Sequence, residues 1–439
     1  MSRFEIKRRN SDLLRKASRD KIAEHFTDLP QSWRSTKWIN HNNRYRLRCT
    51  SRFEKDLRAH PSTLNSGHLL KYLSASAPSH VIDGWSCLGR AIECGFRGDV
   101  YSSMHLGYYA ELRAAMGLLA AQGMGIFNRR HAVIDKTGGI LAFPFSAKPK
   151  KPAKCGTHAM IWPILNHWSG LQCAADLIDE LIRPNTISIS TWLDTLKIAV
   201  PLRAVARWWL STWGLDLEAA ESDHDLRNLA SYRPSELRKP QLIEPSEFIM
   251  FVEQLWRLFE PSAGRRFPNL ERLLLRQVVR RNHPSPVPVS DLQKLGMNDV
   301  EARQWSDYLS KPEDPLPLQL ARKSVPIEDA TCFLRVTARA ALLLFVATTA
   351  ARLLLTNAGF TASELAFWWE RHGEERCIWE TGAAPGDPLD IWQDILQSIM
   401  DSETWRAGNV GGSLRNWRNS QPREMLGAFE MIAIWGLVP

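Results

Sequence analysis

Along most of the chain, apolar residues recur at three- and four-residue spacing, the period of a helix that buries one face. The clearest stretch is 101–120, where Leu106, Tyr109, Leu112, Arg113, Met116, Leu119 and Ala120 fall on related positions. Ala110, Ala114, Ala115 and Gly117 leave neighbouring faces small enough for another helix to approach closely. Asp99 is placed to cap this helix, and the glycines of Gly123-Met-Gly125 to end it. Upstream, 64–94 is apolar with small residues and predicts one or two bracing helices. Downstream, 131–145 alternates as a β-hairpin with Lys136 to Gly139 at its tip.

Helical spacing resumes over 157–168, with Pro163 as a kink, and over 176–182, ended by Pro184. It continues over 190–213, kinked at Pro201, and over 216–232. The stretch 235–245 predicts a linker. Beyond it, helices are expected over 245–259, 268–281, 290–309, 327–357, 361–371, 389–400 and 423–435. Thr361-Ala-Ser-Glu364 is a capping box, and His283-Pro-Ser-Pro-Val-Pro288 a stiff break. The most apolar run, 340–351 between Arg339 and Arg352, is too short to span a bilayer and predicts a buried core helix. The pattern predicts a mainly α protein. A helical bundle with one β-hairpin insertion occupies 95–235, between a basic N-terminal region with bracing helices (1–94) and a helical C-terminal domain (236–439). There is no internal repeat, heptad run or low-complexity tract.

Composition adds limits. In 439 residues, 44% hydrophobic and 23% charged positions describe an ordinary soluble globular protein with room for two or three domains. Eighteen tryptophans, among them Trp208-Trp209, Trp368-Trp369 and Trp417, are expected as core or interface anchors. Seven cysteines without a close metal-binding pair argue against a disulfide framework or structural zinc, and for a reducing compartment. The N-terminus is polar and basic, without the apolar core of a signal peptide. The expectation is a cytoplasmic protein with no membrane segment.

Charge is uneven. The first 58 residues hold sixteen Lys and Arg against seven Asp and Glu, an excess equal to the whole net charge of +9. Arg44, Arg46 and Arg48 alternate with Tyr45 and Leu47, which predicts three cations on one side of a strand, with Trp33, Trp38 and Tyr45 among them. Arginines beside aromatics can hold phosphates and stack on bases, so this segment is a nucleic-acid candidate; a solvated arm, or one that docks on an acidic protein, has the same pattern. Lys150 and Lys151 lie in an exposed basic loop. Arg276 and Arg280 share a face of the 268–281 helix and form a second expected anion surface.

Other chemistry is sparse. His105, His158 and His167 can approach one another once helices pack, but their spacing is not that of metal ligands, so no metal and no cofactor are expected. There is no Walker-type loop, nucleophile elbow or His-Glu-x-x-His.

One motif remains. In Asp223-His-Asp-Leu-Arg-Asn-Leu-Ala-Ser-Tyr-Arg-Pro234, an Arg-Asn pair near a helix start is followed by an aromatic hydroxyl one turn later. With the helices before it, this stretch resembles the HEPN superfamily, helical bundles of prokaryotic defence and toxin systems, many of them metal-independent ribonucleases. The family motif is an arginine, often followed by a polar residue, then four to six residues and a histidine. Arg227 and Asn228 match it, and Tyr232 stands where the histidine would. His224, four residues before Asn228, is a substitute reached from the other direction. The resemblance covers at most a third of the chain. It implies an RNA substrate rather than DNA, attack of a 2′-hydroxyl on the adjacent phosphate, Arg227 as the phosphate cation, Asn228 orienting and Tyr232 in the histidine's place. It also implies a homodimer, and other subunits of a defence system as partners. The alternative is a non-catalytic nucleic-acid-binding or scaffold subunit of a multiprotein defence complex. Trp209 and Trp213 share a face while Trp208 points about 100° away, towards a partner or a covering part of the same chain.

Overall fold

The structure, a computed structural model, describes residues 8–27, 38–59, 64–127, 130–142, 156–213, 244–264, 266–283, 286–322, 331–418 and 422–439. The chain begins α1 (Arg8–Leu14), α2 (Arg19–Thr27), α3 (Cys49–Ala59), α4 (Ser66–Phe96) and α5 (Val100–Ala121). A sheet of β1 (Met124–Ile126), β2 (His131–Ile134) and β3 (Ile140–Ala142) follows, then α6 (Thr157–Ser169), α7 (Gln172–Leu181), α8 (Ile189–Thr195) and α9 (Leu202–Trp213). The second half supplies α10 (Pro245–Leu258), α11 (Pro268–Asn282), α12 (Val289–Gln293), α13 (Asp299–Ser310), α14 (Leu316–Leu320) and α15 (Cys332–Asn357). It ends with α16 (Ala362–Glu375), α17 (Ile391–Gly408), α18 (Leu414–Arg418), α19 (Pro422–Gly427) and α20 (Met431–Leu437).

Three helices make the centre: α4 and α5, joined by a short turn, and α15 packed on both. Their small residues explain the fit. A Cβ on Gly117 would stand 3.1 Å from the Ala77 carbonyl, and one on Gly107 3.0 Å from the Val336 side chain. Asn65 and Asp99 cap α4 and α5 by accepting from His68 N–H and Ser102 N–H, each at 3.0 Å. The Trp85 indole donates to Thr348 across the α4–α15 contact at 2.8 Å. Glu111 of α5 accepts from Arg339 of α15 at 2.8 Å, with both side chains buried.

The expected core helix over 340–351 lies wholly within α15 and is buried on every side. The domain division fares differently. Its boundary at 94/95 falls inside α4, and α15, from the expected C-terminal domain, fills the centre of the bundle. A single hydrophobic cluster extends from Leu14 to Val438. The small faces of α4 and α5 need a covering helix, and the chain takes it from more than two hundred residues away.

The expected strand at Arg44 to Arg48 is instead a series of turns leading into α3, with Arg48 in the left-handed region at φ 58°. The hairpin forms as β2 and β3, and an unpredicted strand, β1, pairs with β2 in register Gly125↔Ala132. Asp135 holds the hairpin turn, its Oδ1 accepting from Thr137 N–H at 2.8 Å and Gly139 N–H at 2.9 Å. Pro201 breaks the expected 190–213 helix into α8 and α9, whereas Pro78 and Pro163 lie inside continuous helices. The 290–309 helix is two, α12 and α13, with Gly296 between them at φ 83°.

Candidate nucleic-acid interface

Every fourth residue of α11 from Arg272 is an arginine: Arg272, Arg276 and Arg280 share one face, with Arg281 beside them. The leucines and valines of the same helix are buried, so this face is the polar edge of an amphipathic helix against α13 and α9. The guanidinium of Arg272 lies over Trp305 at 4.7 Å and Tyr308 at 4.4 Å, and that of Arg276 over Tyr308 at 5.0 Å. Arg281 covers the ring of Trp208 at 4.6 Å, and Arg322, just after α14, approaches the same ring at 5.9 Å. The result is a run of alternating cations and aromatic rings, each ring face attracting a guanidinium.

Asp314 anchors it. Its carboxylate lies 3.0 Å from Arg276, 3.0 Å from Arg322 and 3.8 Å from Arg280. Arg276 also donates to the Glu313 carbonyl, and Gln277 to Asp314 at 3.4 Å. Burial pulls the Arg322 guanidinium below its ordinary value; Asp314 opposes this, while Arg280 and Arg281 add to it. Burial likewise raises the Tyr308 phenol, against the pull of Arg276 and Arg272. Like charges are thus held close together, with Arg280 and Arg322 37% and 35% exposed at the side chain and Arg281 exposed. A polyanion would relieve that repulsion.

Of the two arginines expected to form a surface here, Arg280 faces outward and Arg276 does not. Arg276 is 4% exposed and tied to Asp314, because the same face that carries the arginines packs against the 311–315 connection. The outward cations are Arg280, Arg281 and Arg322. Trp208 is half-buried beneath two arginines of its own chain, while Trp209 and Trp213 are buried with their rings stacked at 5.8 Å. Spacing missed Asp314, Arg322 and the Trp208 contact, which are assembled from distant segments.

At the other expected anion site, Arg44 donates to both carboxylate oxygens of Asp56, and the buried Tyr45 hydroxyl donates to the same group at 2.9 Å. Arg44 holds the Asp56 carboxyl below its ordinary value, against the effect of burial, while burial first, then Asp56, pushes the Tyr45 phenol up to about 12. Trp38 packs on Phe367 and Trp368. Tyr45 is buried and Trp38 half-buried. Arg44 and Arg48 are exposed and Arg46 is half-buried, on turns and not on a strand. Trp33, Lys150, Lys151, His224, Arg227, Asn228 and Tyr232 lie outside the described residues.

His105 and His158 both meet the Tyr109 ring, while His167 pairs with α1. His158 Nδ1 is 2.9 Å from the Tyr108 hydroxyl, His167 Nε2 is 2.8 Å from Ser11 Oγ, and the His105 ring meets Tyr109 edge-on. Among the described residues no group of three or more His, Cys, Asp or Glu is placed to hold a metal ion. No family model, curated protein or solved structure matches the chain.

Proposed function

We propose that this protein is an RNA-directed component of a prokaryotic defence or toxin system, gripping single-stranded RNA on the arginine–tryptophan edge of α9, α11 and the 311–322 segment. The observation that carries this reading is the cluster of Arg280, Arg281 and Arg322, with Arg281 and Arg322 over Trp208 and Arg280 and Arg322 at Asp314. Arginines with a flanking ring suit phosphate contact and base stacking without demanding a particular sequence. The HEPN-like reading of Arg227, Asn228 and Tyr232 belongs to the same proposal, and so does a cytoplasmic location. Under it, Arg227 meets the scissile phosphate and Tyr232 donates a hydrogen bond to it.

Two experiments test this. Changing both Arg280 and Arg281 to Gln should weaken binding to an oligouridylate and flatten the slope of log K against log salt by about 1.4, two contacts at ~0.7 each. An unchanged slope would remove this face from the interface, and equal binding of the matching deoxyoligonucleotide would remove the preference for RNA. Incubation with total RNA in EDTA, beside Arg227→Ala, tests cleavage. Activity lost in the variant supports the ribonuclease; RNA intact with the parent protein assigns it to binding alone. Tyr232 in place of histidine favours this second outcome, because a phenol titrating near ~10 is a poor base at neutral pH.

A further inference from the structure

A cavity of about 230 Å³ opens between α4, α5, β1 and α6, on elements that take no part in the arginine–tryptophan edge. Its volume equals that of about eight waters at ~30 Å³ each, which suits a small metabolite and not a polymer. The lining mixes Arg113, His80 and Ser76 with Leu73, Met116 and Phe127, and among the described residues it contains no carboxylate. Gly125 keeps the space open, since a Cβ there would stand 2.8 Å from both Leu73 and Phe127.

Arg113 Nη1 lies 2.9 Å from His80 Nδ1. A guanidinium can only donate, so Nδ1 accepts and the ring proton sits on Nε2. His80 thereby becomes a neutral N–H donor beside a fixed positive charge. Burial, reinforced by Arg113, pushes its ring down to about 3, so it stays neutral through the physiological range. The nearest counter-ion among the described residues, Asp83, stands 3.5 Å from Arg113 with its side chain 54% exposed, so solvent screens the pairing.

We propose that this cavity binds a small aryl oxyanion, its charged group held by Arg113 and the Nε2–H of His80 and its ring lying against Leu73, Met116 and Phe127. The site is a cationic, donor-bearing pocket with an apolar lining, and that combination selects an anion with an apolar body. Carboxylate and phosphate head groups share the required chemistry.

The test is calorimetric titration of the full chain with benzoate, phenyl phosphate and the neutral isostere benzamide. At least one aryl anion should bind saturably and at least about tenfold more tightly than benzamide. The better of the two anions identifies the head group. Arg113→Met should weaken that binding by at least about tenfold with the circular dichroism spectrum unchanged. If that variant does not fold, Met116→Trp, which fills the cavity and keeps the charge, should block binding. The proposal is overturned if neither anion binds, if benzamide binds as well as they do, or if the folded Arg113→Met protein binds like the parent.

Discussion

Arg276 and Arg280 are one helical turn apart, yet Asp314 receives the first at 3.0 Å in the interior while the second remains 37% exposed. Helical spacing places both on one face; which of them meets solvent depends on a carboxylate 38 residues away, and that is why only the face was legible in the sequence. The same holds for Arg113, which falls in an apolar series of α5 and finds His80 only because α4 lies alongside. Histidine burial carries a pH signature. His80 is pushed down to about 3, and His372, 7% exposed against Trp368, to about 4, from an ordinary 6.5, burial being the larger cause in each. The folded state keeps both neutral while the unfolded chain takes up protons below 6.5, so their stabilisation is complete above that pH and is lost as pH falls towards 4 and then 3. Each histidine contributes up to about 1.4 kcal/mol per pH unit over that window. In urea melts, His80→Gln should therefore lose less stability than the parent between pH 6.5 and pH 4.5; parallel curves would show that His80 is not held neutral.

Elements whose signals are local were the legible ones: the capped start of α5, the turn of the hairpin, which Asp135 holds, and the Thr361–Glu364 capping box, whose glutamate accepts from the Thr361 N–H at 2.7 Å. β1 was not, because three residues after a glycine carry no period, and pairing with β2 alone makes them a strand. Pro78 was equally silent, since α4 is enclosed by its neighbours there and Ser74 donates across to the Ile22 carbonyl at 3.1 Å. The α5–α15 contact depends on a buried charge pair. Burial raises the Glu111 carboxyl while Arg339 pulls it back down, so the glutamate needs its partner. Glu111→Leu should destabilise the fold by about 3–5 kcal/mol, because Arg339 is left charged in an apolar contact. Adding Arg339→Leu should recover most of that loss, since an apolar pair can replace a buried ion pair at little cost. A double variant as unstable as the single one would mean that the arginine has a further role in α15.

At the scale of the whole chain, sequence composition suggested three regions, and packing joins them. The Gly84 position shows how closely: a Cβ there would stand 2.5 Å from Leu344 of α15 and 3.5 Å from the Ala110 carbonyl of α5. Three helices from both halves of the chain thus share one contact. The C-terminal α20 also reaches this centre, where a Cβ on Gly436 would meet Thr348 at 2.8 Å. Withdrawing α15 from α4 and α5 would uncover the residues opposite Leu342, Leu344 and Phe345, each 0% exposed in the intact chain. Fully burying one such side chain contributes roughly 1.5–3 kcal/mol. Losing three of them costs about 4.5–9 kcal/mol, comparable with the whole stability of an ordinary domain, about 5–15 kcal/mol. Residues 1–235 expressed alone should therefore show no cooperative thermal transition, and 236–439 should not restore one unless both are produced together. The intact chain should unfold in a single transition seen equally by tryptophan fluorescence and circular dichroism. A cooperative melt of isolated 1–235 would restore the N-terminal bundle as an independent domain and make α15 a docked addition to it.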